Sequence, residues 1–128
     1  MNHPLPRPTD GELAILRVLW DLGPSTVRQI FDVLRGEKEL GYTSVLKQLQ
    51  VMTDKELVVR DDRERSHVYQ VAQSEAHTQD HLVRDLLDKA FGGSAAKLVI
   101  QALASRKTSR EEREQIRRLI DAAGKEQP

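Results

Sequence analysis

Between Gly41 and Leu57 the chain reads GYTSVLKQLQVMTDKEL. At 100° per residue, Thr43, Ser44, Lys47, Gln50, Val51 and Asp54 collect on one side. Short hydroxyls, an amide and one ammonium are the groups that donate to phosphate oxygens and base edges, and an aliphatic side chain can meet a thymine methyl. This set suits a helix entering the DNA major groove. Three arginines, Arg60, Arg63 and Arg65, follow in a short charged stretch and could hold sugar-phosphate flanking that groove. His77 and His81, spaced i, i+4, could reach one zinc ion, with Asp80 and Asp85 near enough to add oxygen ligands. An exposed polar face with two incidental histidines is favoured over that site, so no metal and no cofactor is expected. His67 is read as packing or hydrogen bonding in a strand, and His3 falls in a terminal arm. The chain has no cysteine, which excludes disulfides, thiolate metal sites and a cysteine nucleophile. No phosphate-binding glycine loop or paired acid/base constellation occurs, and an enzyme is not expected.

Periodicity supplies the elements that must position these groups. The other side of the 41–57 stretch carries Val45, Leu46, Leu49 and Met52, an apolar stripe at helical spacing with Thr53 at its edge. Upstream, Thr9-Asp10-Gly11-Glu12 has the form of a capping box. A helix then runs through Leu13, Leu16, Leu19 and Trp20, a core anchor, and stops at Gly23-Pro24. Ser25 or Thr26 caps a second helix with Val27, Ile30, Phe31 and Leu34 inward. Residues 36–41 form a charged turn and residues 1–8, with three prolines, an extended arm. Two short helices before a third with a polar outer face give the helix-turn-helix order. Leu57–Arg60 and Val68–Val71 are β-branched strands around the charged tip Asp61–Ser66, a hairpin that makes the unit a winged helix.

From Ser74 the pattern is helical again, through Leu82, Leu86, Leu87 and Phe91 to a hinge at Gly92-Gly93. A following helix from Ser94 carries Leu98, Val99, Ala102 and Leu103. A second capping box at Ser109 and Glu112 precedes Ile116, Leu119, Ile120 and Ala123, with Gly124 as the stop. Such narrow aliphatic stripes cannot close a core alone, and the same helices of a second copy would cover them. The expected fold class is therefore mainly α with a small β hairpin. A winged helix-turn-helix domain occupies residues 1–73 and a helical dimerisation domain residues 74–128.

Within this frame, GYTSVLKQLQVMTDKELVVRDDRERSHVYQV closely resembles the third helix and wing of the BlaI/MecI/CopY penicillinase-repressor family. LLDKAFGGSAAKLVIQAL resembles that family's hinge and first dimerisation segment, and the likeness runs from about Thr9 to Ala123. The resemblance implies a homodimeric transcriptional repressor that binds double-stranded DNA at a near-palindromic operator. By position it carries the family's base and phosphate contacts onto Thr43, Ser44, Lys47, Gln50 and Val51, with Tyr42 beside them. Three departures stand out. Glu56 occupies a position usually glycine in the family, where a left-handed backbone would cost Glu about 1 kcal/mol. Gln101-Ala102 replaces the Asn-Phe pair cut in sensor-regulated members, so a sensor protease is a candidate partner whose recognised bond this chain lacks. The cysteine cluster of the copper-responsive branch is absent.

Composition bounds these expectations. With 128 residues and 4% aromatics, the core must be thin and aliphatic. Net charge is zero, and neither half rescues it: residues 1–71 hold ten Lys and Arg against eleven Asp and Glu. A DNA footprint must arise from how charges are arranged. The balance also leaves room for a winged helix used as a protein-interaction module, and the histidine pair for a metal-responsive repressor. No signal-peptide-like or membrane-spanning run is present in the sequence, so a cytoplasmic protein without membrane insertion is expected.

Overall fold

A computed structural model describes residues 7–36 and 40–126. Residues 1–6 of the expected arm, His3 with them, and residues 37–39 of the expected turn lie outside the described residues. The chain divides into two compact units, Met1–Leu82 and Val83–Pro128.

The first unit is built on three helices, α1 (Asp10–Leu22), α2 (Val27–Leu34) and α3 (Tyr42–Asp54). Thr9 caps α1: its hydroxyl accepts from the Glu12 amide, and the Glu12 carboxylate accepts from the Thr9 amide. Thr26 and Gln29 repeat that reciprocal arrangement at the start of α2. Ser25 does not serve as the cap. With Thr26 it forms a two-residue strand, β1 (Ser25–Thr26), hydrogen-bonded to the hairpin of β2 (Val58–Asp61) and β3 (Val68–Val71). The sheet is antiparallel in the order β1-β3-β2, with Ser25 and Arg60 both opposite Tyr69. Two residues are too few for alternation to register, so sequence pattern gave no sign of this third strand.

The core of the unit is aliphatic, as the composition requires. Ile15, Leu16 and Leu19 of α1 meet Val27, Ile30 and Leu34 of α2 and Val45, Leu49 and Met52 of α3, while Val58 and Tyr69 close it from the sheet. Trp20 and Phe31 pack against this cluster half-buried. Gly11 permits close approach of α1 to α3, since a Cβ there would collide with the Gln48 amide.

Helix α4 (Glu75–Ala90) begins under a Ser74 cap and passes through the division between the units, so the boundary expected at 73/74 falls at its N-terminal end. Phe91 and the left-handed glycines Gly92 and Gly93 terminate it, the Gly93 amide donating to the Leu87 carbonyl. In the second unit, α5 (Ala95–Ser105) is capped by Ser94 and α6 (Arg110–Glu126) by Ser109, whose hydroxyl accepts from the Glu112 amide. Gly124 does not stop α6, which runs on to Glu126. A glycine so near a helix end is tolerated at about 1 kcal/mol relative to alanine. No helix among the described residues is long and apolar enough to cross a membrane.

Candidate nucleic-acid interface

The fold turns α3 so that its two faces separate as their chemistry demands. Val45, Leu49 and Met52 are fully buried, whereas Thr43, Ser44, Lys47, Gln50 and Val51 are exposed. Among the described residues the side chains of Thr43, Ser44, Lys47 and Gln50 have no hydrogen-bond or ion-pair partner. Among the described residues no side chain caps the N-terminus of α3 at Gly41, where the positive end of the helix dipole lies. Tyr42, the first helical residue, is exposed and sets its ring edge-on to Phe31 at 5.8 Å.

Two devices fix the far end of α3. The Glu56 amide donates to the Thr53 carbonyl and the Leu57 amide to the Met52 carbonyl, the bond pair of a Schellman motif. That motif requires a left-handed residue after the cap, and Glu56 adopts φ 63°. The strain expected from a side chain at this position is therefore present. Next to it, Lys55 reaches back to the start of α1, its ammonium 3.0 and 3.1 Å from the two Glu12 carboxylate oxygens. Glu12 is 3% exposed. Burial pushes its carboxyl up, but the Thr9 amide and the Lys55 ammonium outweigh that and leave it below the usual carboxylate range. The sequence suggested only the capping role of Glu12; its partner lies 43 residues away and no local pattern announces it.

In the wing, Arg60, Arg63 and Arg65 are all exposed, yet they differ. The Arg63 guanidinium forks onto Asp61, with Nε 3.0 Å from each oxygen and Nη2 2.6 Å from one. This fork and the Arg63 amide hold the Asp61 carboxyl down to about 2. Arg60 Nε lies 2.7 Å from Asp62, which together with Tyr69 raises its pKa. Arg65 has no such partner among the described residues. Phosphate contact by Arg60 or Arg63 thus means exchanging one anion for another, a small cost in exposed pairs. His67, just before β3, lies 3.7 Å from Asp62.

The second unit presents the expected dimerisation residues as follows. Leu98 and Ile116 are half-buried, and Val99, Ala102, Leu103, Leu119 and Ile120 are exposed. Ile100, absent from the expected set, is among the most exposed apolar side chains at 62%. Gln101 and Ala102 are exposed within helix α5. On α4 the His77 and His81 rings stand 4.5 Å apart, and no group of three or more metal-ligating side chains occurs among the described residues. A lone pair would leave two positions of a tetrahedral zinc unfilled.

Comparison with known proteins bears on this geometry. The family model described as penicillinase repressor matches residues 8–122. Two curated sequences from strains of Mycobacterium tuberculosis, each described as transcriptional regulator BlaI, are 35% identical over 88 residues, which is 68% of this chain. The chain spans 61% of the length of those relatives. A solved structure of a ZitR point mutant from Lactococcus lactis shares 20% identity, covering 89% of this chain and 73% of its own. Its TM-score of 0.41 is too low to carry an argument.

Proposed function

Since the chain belongs to the penicillinase repressor family, we propose that it represses transcription as a homodimer, laying the α3 of each copy in a major groove of a near-palindromic operator. The observation that carries this reading is the outer face of α3. Thr43, Ser44, Lys47, Gln50 and Val51 are exposed, and the polar ones have no partner among the described residues, while the opposite face anchors the core. Lys47 and the two hydroxyls anchor or read within the groove, Gln50 offers an amide to a base edge, and Val51 an aliphatic surface to a thymine methyl. Arg60, Arg63 and Arg65 hold the flanking backbone, Arg65 most readily because it has no carboxylate to leave among the described residues.

Dimerisation follows from α5 and α6. Leu98, Val99, Ala102 and Leu103 with Ile116, Leu119 and Ile120 form stripes that bury little within one copy, and a second copy would cover them. Two linked half-site contacts bind far more tightly than either alone, so a signal that weakens the dimer would induce. The half-sites should lie one helical turn, or a multiple of it, apart.

Gel shift against duplexes selected from a random pool tests the assignment. Lys47→Ala should weaken binding at least several-fold with unchanged melting temperature, because its side chain is exposed. Unchanged affinity would remove α3 from the groove. A wild-type protein that selects no duplex at all would favour the protein-interaction reading, with which zero net charge agrees.

A further inference from the structure

Beside the start of α3, helix α2 presents a second cationic feature that the groove assignment does not use. Arg28, Phe31 and Arg35 are spaced i, i+3 and i+7 and share one helical face. Both guanidinium carbons stand 5.7 Å from the centre of the Phe31 ring. That ring is the one Tyr42 meets edge-on, so the stripe is continuous with the exposed first residue of α3. Both arginines also share a single carboxylate oxygen, Asp32 Oδ1, at 3.6 Å from Arg28 Nε and 3.7 Å from Arg35 Nε. Two positive charges on one negative leave the described cluster cationic. The arginine side chains are 66% and 57% exposed.

We propose that Arg28 and Arg35 form a phosphate clamp on α2, extending the DNA footprint beyond α3 and the wing. The proposal rests on the DNA-binding reading of α3. In a helix-turn-helix, the helix before the groove helix crosses the sugar-phosphate backbone, and α2 holds that place here. A guanidinium matches phosphate oxygens in a planar, two-point manner and is weakly hydrated. Stacking on Phe31 orders both side chains before DNA arrives, so less freedom is lost on contact, while Asp32 is the weakly held anion that phosphate displaces. Contacts of this kind carry no base information. The clamp therefore adds affinity on every sequence, whereas α3 discriminates.

Salt dependence of binding tests the clamp. Fluorescence anisotropy is run over a range of salt concentrations on a duplex selected by the wild-type protein and on an unselected random duplex pool. For the paired Arg28→Ala and Arg35→Ala variant, the slope of log affinity against log salt should flatten by about 0.9 for each lost contact. Affinity should fall by a similar factor on both duplexes. Arg28→Lys with Arg35→Lys should recover most of the slope. Asp32→Asn, which frees both guanidiniums, should tighten binding to both duplexes. A double alanine variant with the wild-type slope and affinity overturns the clamp while α3 remains in the groove. Loss confined to the selected duplex overturns it as well, since that would make these arginines readers of sequence. If the wild-type protein binds neither duplex, the DNA reading itself fails and the clamp with it.

Discussion

Between α1 and β3, twelve apolar side chains are buried, and among them Ile15, Ile30, Val45, Leu49 and Met52 reach no solvent at all. From the start of α4 to Gly124 no described side chain is buried, and Ile100, Leu119 and Ile120 are each 60% exposed or more. The stretches are of similar length and both carry helices with apolar stripes. They differ in that the first folds three helices back on one another and caps them with a sheet, so each stripe has a facing surface. Helix propensity, caps and amphipathic spacing are sufficient to make helices in both regions, but only enclosure turns an apolar stripe into burial free energy. The winged helix encloses its own core, whereas the described helices of the second unit leave their apolar stripes facing solvent.

The contrast can be broken most forcefully within the first unit. Leu49→Ala should cost about 3–5 kcal/mol in urea unfolding, the range for emptying a filled aliphatic site. A loss below 1 kcal/mol would mean the core is far looser than its burial implies. In the second unit, the paired Leu119→Asp and Ile120→Asp changes should leave the winged helix folded and yield monomers by light scattering. A dimer that persists would move the interface off α6. The Glu12–Lys55 pair sharpens the comparison through pH. Because the folded carboxyl is depressed, its stabilisation is present above about pH 4.5, the ordinary value, and is lost as pH falls through the folded pKa. Glu12→Gln should flatten the acid limb of the unfolding midpoint and cost on the order of 1–2 kcal/mol at neutral pH, the low end because Lys55 is a third exposed. The smallest effect should come from Glu56→Gly, which relieves the left-handed residue and should stabilise by about 1 kcal/mol. Destabilisation would show that the Glu56 side chain gains more elsewhere than its backbone loses.

Several features were legible in the chain itself because they are local. The two faces of α3 follow from a period of 3.6 residues, and the Thr9–Glu12 box from a spacing of three. The hairpin strands follow from β-branched runs on either side of a charged tip. Likeness to a family in which position 56 is usually glycine pointed to its left-handed backbone, a property of one residue. Tertiary structure alone decided the rest. It paired Ser25–Thr26 with β3, buried Tyr69, and brought Lys55 to Glu12. It also set Phe31 against Tyr42, and so brought the locally spaced Arg28 and Arg35 beside the start of α3. Even the short-range choice of partners in the wing, where Arg63 holds Asp61 and Arg60 holds Asp62, depends on how the hairpin turns. Sequence periodicity states which side of an element is apolar. What that side faces depends on chain segments tens of residues apart meeting in space, and local spacing carries no term for that.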